Sequence, residues 1–276
     1  MPLISISRLP YTRGEAIARG VSSRLGYRCI NEEVFQDAAR RSGIPQAKLE
    51  KAFREAPVFF GMSRTARRRC AAHVRTALAA YFMQDNVVYH GPFGAHLIHD
   101  VSHLLRVRID AALEDRIALK MERDACSAPQ ARRAILRQDQ ARQVLADALF
   151  SARDDDNRLV DLTISTSSMD VEAAVGVIVE TIGQRGYQPM TYSVGRLRAE
   201  DLSNRVRLSL LDLDSEVEVR SVGGHVTVRL KSSGLIKSRR IRVARERAGK
   251  IDGVKDVKVE VVEDVLDRIV GGHRLG

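Results

Sequence analysis

Cysteine is scarce in this sequence: Cys29, Cys70 and Cys126 lie far apart, with no spacing that would gather metal ligands or build a disulfide framework. They fit a reducing compartment. No apolar run reaches the length of a membrane span, and Met1 to Ile6 lacks the basic n-region of a secretory signal. A soluble, cytoplasmic protein without a transmembrane segment is therefore expected. No Ser-His-Asp or Cys-His arrangement can be read from spacing, and no paired carboxylates stand out. Negative charge is in deficit, with 35 Asp and Glu against 45 Lys and Arg, a formal net charge of +10. That balance favours an acidic partner: nucleotide, nucleic acid or membrane surface. The excess is mostly arginine among many alanines, which genomic composition also produces, so nucleic acid is the less favoured partner.

The 276 residues, 44% of them hydrophobic, exceed one typical domain and suggest two. The opening stretch organises the first. Leu3, Ile4 and Ile6 read as a short strand, a tight turn follows, and Ile17, Val21 and Leu25 mark one face of a helix. A strand entering a helix through a turn is where a phosphate loop sits, because the helix start offers free N–H groups and partial positive charge. A GxxxxGK[ST] loop needs glycines for the backbone wrap, a lysine for the β- and γ-phosphates and a hydroxyl for Mg²⁺. Here Leu9 stands at the first glycine, Gly14 at the second, Glu15 at the lysine and Ala16 at the hydroxyl. An ordinary strand-turn-helix is the competing interpretation.

Further along, Tyr27 to Ile30 is apolar, Asn31 to Glu33 begin a helix to Arg41, and Gly43 and Pro45 punctuate before a helix from Gln46 to Glu55. Pro57 to Met62 reads as a loop, and Ser63 opens a long helix to Phe82 that carries Arg64, Arg67, Arg68, Arg69 and Arg75, a cluster that could face a polyanion or simply solvent. Asn86 to His90, His103 to Ile109 and Leu159 to Ser165 are strands, with helices at Ala112 to Asp124, Ser127 to Phe150 and Met169 to Arg185. Strands separated by helices predict a parallel sheet covered on both faces.

His90, His96, His99 and His103 crowd together, but the expected strand at His103 and a lone nearby carboxylate, Asp100, make a metal site the weaker interpretation. The arginines at 116, 123, 132, 133, 137 and 142, interleaved with Asp139, could close over phosphates as a lid or form a salt-bridged surface. From Gly186 to Gly195 the chain turns rich in Gly, Pro and Ser and reads as a linker. Beyond it, a helix over Ala199 to Leu211, alternating strands EVEVRS and HVTVRL around Gly223-Gly224, a basic helix over Leu235 to Ala248 and a strand over Val254 to Val262 give the order α-β-β-α-β.

The combination of ISISR with its glycine-bearing turn, LGYRCINEEV, NVVYHG, HLLRVRI with EDRIALKMERD, and LVDLTIST with MDVEAAV resembles the cytidylate kinase-like proteins, relatives of the P-loop nucleoside monophosphate kinases, over residues 1 to 185. The resemblance implies a three-layer α/β domain with a central parallel sheet, an ATP site at the first loop, an NMP site from the helices between Asn31 and Phe82, and a lid near Ala128 to Arg142. It implies ATP-dependent phosphorylation of a nucleoside monophosphate, CMP, with ATP and Mg²⁺ as cofactors if the copy is active. Tyr11, Thr12, Arg13, Gly14 and Glu15 become the nucleotide-binding candidates, and Arg116, Arg137, Asp139 and Arg142 the catalytic ones, with no metal ligand. Leu9 and Glu15 depart from the pattern and point to weak or lost activity. Residues 199 to 263 resemble a BON-type α+β domain in the VGGHVTVRL hairpin and the GVKDVKVEV end, which implies a phospholipid or protein partner. The expected division is 1–185, a linker at 186–198, 199–263 and a tail at 264–276.

Overall fold

The computed structural model describes residues 2–56, 61–98, 101–154, 156–231 and 237–262. The chain divides into two units, Met1–Val194 and Gly195–Gly276. In the first, strands β1 (Leu3–Arg8), β2 (Arg28–Ile30), β3 (Val87–His90), β4 (Leu104–Asp110) and β5 (Leu162–Ser165) form one sheet in the order β2-β3-β1-β4-β5. Every pairing in it is parallel, with Ile4 opposite Val88 and Leu105. Parallel strands buried on both faces demand near-continuous apolar runs, which is what LISIS and VVY supply.

Alternation along the strands sorts the two faces. Ile4, Ile6, Val88, Leu105, Val107 and Ile109 pack in one cluster with Ile17 and Val21 of helix α1 (Gly14–Leu25). Ala174, Val175 and Ile178, carried by a helix over Val171–Ile182, complete that layer. Each large apolar side chain so buried contributes about 1.5–3 kcal/mol. The two helices touch closely at Gly20, where a Cβ would lie 2.7 Å from Val175 Cγ2.

The opposite face carries the remaining helices. In chain order these are α2 (Glu33–Ser42), α3 (Gln46–Arg54), α4 (Arg64–Phe82), α5 (Gly94–Leu97), α6 (Leu113–Asp124) and α7 (Ala128–Phe150); the Val171–Ile182 helix is then α8. α5 lies against β1 and β4, and α4 packs on α5, α2, α3 and α7. Ser63 caps α4, accepting from the Ala66 N–H at 3.2 Å.

Four of the five arginines read as a possible polyanion face on α4 make contacts within the fold, and Arg69 is exposed. Arg67 is fully buried and donates to the carbonyls of Ala52 and Glu55 at 2.9 and 2.8 Å, closing the end of α3. Arg64 pairs with Asp147 at 3.1 Å, Arg68 bonds Ser151, and Arg75 donates to the His96 carbonyl at 3.2 Å. Those contacts tie α4 to its neighbours.

Helix α9 (Thr191–Leu210) begins at the end of the first unit and leads into the second, where β6 (Glu218–Val222), β7 (His225–Lys231), α10 (Lys237–Gly249) and β8 (Asp256–Val262) follow. The β6-β7 pairing is an antiparallel hairpin and β7-β8 is parallel, so the α-β-β-α-β order holds. α9 begins at Thr191, inside the stretch 186–198 read as linker from its Gly, Pro and Ser content. Leu235 and Ile236, the expected tail at 264–276 and residues 57–60 lie outside the described residues. Among those described, no helix is long and apolar enough to cross a membrane.

Candidate functional site

β1, β3 and β4 end side by side, and the chain leaves β1 toward β2 but β4 toward β5, on the other side of the sheet. Crevices of open α/β sheets form where connections diverge in this way. Residues 9–13 turn from β1 into α1, and the N–H groups of Gly14, Glu15 and Ala16 meet no acceptor among the described residues. An anion placed there would find free donors and the positive end of the helix.

The turn is held from several sides. Tyr11 adopts φ +58°, a left-handed conformation costly for a bulky residue. Thr12 Oγ1 donates to the Leu9 carbonyl at 3.0 Å. Arg116, 4% exposed, donates from Nε to the Pro10 carbonyl at 2.9 Å and bidentately to Asp139 at 2.9 and 2.7 Å. Gly14 is required by crowding, because a Cβ there would meet Arg8 Cβ and Cδ at 2.8 Å.

Arg8, at the end of β1, is the central cation. Its Nε donates to His90 Nε2 at 2.9 Å, and burial pulls its pKa below the usual arginine value while Arg142 and Arg123 add to the positive field. Burial, then the neighbouring Arg8 charge, lowers His90 to about 4, so its ring is neutral near pH 7. With Nε2 accepting, the proton resides on Nδ1. Arg142 reaches in from α7, donating to the Arg8 carbonyl and to Asp154, with its guanidinium 5.2 Å from the Phe93 ring.

Two cavities open here. The larger, about 710 Å³, is walled by Phe53 and Arg54 of α3, His90, Phe93, and Gln138 and Arg142 of α7. The smaller, about 360 Å³, is walled by Thr12, Leu119 and Glu122. Arg8, Tyr11 and Arg123 belong to both.

The sequence candidates divide accordingly. Tyr11, Glu15 and Arg142 line the larger cavity, and Thr12 the smaller. Arg13 is exposed at the start of α1 and Arg137 is exposed on α7; neither lines these cavities. Arg116 and Asp139 pair with each other, and Arg116 also holds the turn through the Pro10 carbonyl. Glu15 is paired with Arg19 at 2.8 Å, so its charge is partly offset, and the cations lining the larger cavity are Arg8, Arg54, Arg123 and Arg142, not Arg13. Arg8 and His90 were missed as site residues; their signal was position, the last residue of each of two apolar strands.

The N–H groups and guanidiniums around the turn are donors, suited to an anion. Ala16 carries no hydroxyl, and among the described residues no group of three His, Cys, Asp or Glu side chains could hold an ion. His90 is bonded to Arg8, His96 contacts the Arg153 carbonyl at 3.0 Å, His103 is buried, and His99 lies outside the described residues.

A model of a cytidylate kinase-like family matches residues 3–168. No curated protein sequence matches the chain. Among solved structures, an uncharacterized protein from Eubacterium ventriosum superposes with a TM-score of 0.52 at 16% identity, covering 67% of this chain and 99% of its own. That likeness supports the fold alone. A shikimate kinase from Acinetobacter baumannii, in complex with shikimate, gives a TM-score of 0.38 at 12% identity, covering 66% and 93%, too low to carry an argument.

Proposed function

The chain belongs to the cytidylate kinase-like family, and from that premise we propose that its first unit binds a nucleoside monophosphate, CMP, in the larger cavity and the phosphates of ATP at the smaller. The reaction is transfer of the γ-phosphoryl group to an oxygen of the CMP phosphate, giving ADP and CDP, at a low rate. The observation that carries this reading is the shared wall of the two cavities: Arg8 and Arg123 face both, so one set of cations can neutralise donor and acceptor phosphates together.

A charge pair 4 Å apart is worth about 4 kcal/mol at an effective dielectric near 20, so a phosphate meeting Arg8 and Arg142 gains substantially over water. Their positions are preset: Arg8 is fixed by His90, and Arg142 by Asp154 and the Arg8 carbonyl. Phe53 and Phe93 supply apolar surface for a base, and Asn31 and Gln138 supply hydrogen-bonding groups at the same cavity. No general base is needed, because the acceptor is already an anion at neutral pH. The low rate follows from Glu15 at the lysine position and Ala16 at the hydroxyl position, which remove a cation and a ligand from the transferring group. Incubation with ATP, Mg²⁺ and CMP, with nucleotides separated by ion-exchange chromatography, should show slow CDP formation that Arg8→Lys abolishes. Equal CDP formation by wild type and Arg8→Lys would sink the reading.

One observation favours a second reading, for the other unit. Arg239, Arg242 and Arg245, at one-turn spacing on α10, are exposed and make no ion pair among the described residues, whereas Arg247 is paired with Asp212 at 2.6 Å. With the α-β-β-α-β order this supports a BON-like module whose partner is an anionic phospholipid surface. Sedimentation with phosphatidylglycerol vesicles should fall steeply between low and high salt, and salt-independent retention would contradict it.

A further inference from the structure

We propose that Tyr11 is a latch between the two cavities that sets affinity for the polyphosphate donor, holding back the cations that a donor must recruit. The inference rests on the smaller cavity being the donor side. Tyr11 walls both spaces. Its backbone sits at φ +58°, where glycine is the residue of least strain, so side-chain contacts must keep a tyrosine there.

Those contacts come from the last turn of α6. Lys120 Nζ donates to the Tyr11 hydroxyl at 2.9 Å, and the hydroxyl donates to Asp124 Oδ2 at 3.0 Å. Lys120 Nζ also lies 4.5 Å from the ring centroid, and Arg123 Cζ lies 5.1 Å from it. Lys120 and Arg123 are bonded to Asp124 as well, at 2.6 and 3.1 Å. These hydrogen bonds push the Asp124 carboxyl down to about 2, so it stays ionised as a competitor at physiological pH.

Lys120 and Arg123 are thus satisfied by an aromatic ring, a phenol and one carboxylate. A single phosphate offers too little to displace all three. A polyphosphate, with several anionic groups in a row, can draw both cations across and free the ring. Tyr11 therefore discriminates by phosphate count at the donor side.

The test is isothermal titration of the full chain, as wild type, Tyr11→Ala and Tyr11→Phe, with tripolyphosphate, ATP and CMP. Tyr11→Ala should tighten tripolyphosphate and ATP by about tenfold. Tyr11→Phe, which keeps the ring and loses the hydroxyl bonds, should give an intermediate gain of about threefold and keeps the test alive if the alanine variant does not fold. Unchanged or weaker polyphosphate binding in both variants would overturn the latch and make Tyr11 an ordinary donor contact. CMP binding by wild type with no gain in the variants sinks the latch alone. Tighter tripolyphosphate in the variants with no CMP binding anywhere keeps the latch and sinks the acceptor assignment.

Discussion

Replacing Arg116 with methionine separates a strut from a reactant. The guanidinium is buried and makes three charge-assisted contacts, one to the Pro10 carbonyl at 2.9 Å and two to Asp139 at 2.9 and 2.7 Å. Charge-assisted hydrogen bonds contribute about 1.5–3 kcal/mol each, but Asp139 is 31% exposed and regains water once released. The net loss should be about 3 kcal/mol, at the lower end for a broken buried pair. In a unit spanning Met1–Val194, that corresponds to a fall in Tm of about 6–12 °C. Urea denaturation followed by circular dichroism measures it, and a cycle with Asp139→Asn should return a coupling of about 2 kcal/mol. A loss below about 0.5 kcal/mol, together with abolished CDP formation, would refute the strut and restore Arg116 as a group acting on phosphate.

The remaining predictions follow from local geometry. Gly20→Ala should destabilise by about 1–3 kcal/mol in urea unfolding, because its Cβ would enter the Val175 side chain at 2.7 Å. Gly14→Ala should destabilise by about 1–3 kcal/mol in urea unfolding and weaken CMP binding about tenfold in titration, since its Cβ would meet Arg8 Cβ and Cδ at 2.8 Å and push that side chain off His90. His90 has a folded-state pKa of about 4 against an ordinary 6.5, so the unfolded chain binds the extra proton between those values and stability falls as pH drops through that window. The loss, at most about 3 kcal/mol from this site, should shrink in His90→Gln when unfolding is compared at pH 7 and pH 4.5.

The strands were legible because burial on both sheet faces leaves an unbroken apolar run, as in Val87–Tyr89, and α1 was legible from Ile17 and Val21, each 0% exposed. The cation set was not. Arg8 meets His90 across 82 residues of sequence, and that meeting exists only because β1 and β3 pair in parallel, with His90 opposite Ile6 and Arg8 two residues further along β1. Arg116 and Asp139 were visible as residues, but an arginine aimed at phosphate and one aimed at a carboxylate look alike until α6 and α7 are packed. The start of α9 within 186–198 has a local cause that Gly, Pro and Ser content hides: Pro189 precedes the helix, and Ser193 Oγ accepts from the Met190 N–H at 3.1 Å to start it.

Titration of CMP into the full chain, with Arg142→Lys beside wild type, tests the central claim most directly. The account predicts saturable binding by wild type and binding at least about tenfold weaker in the variant, whose ammonium cannot hold both Asp154 and a phosphate as the arginine fork does. Absence of CMP binding by a folded wild-type sample, or equal binding by the two proteins, would contradict it.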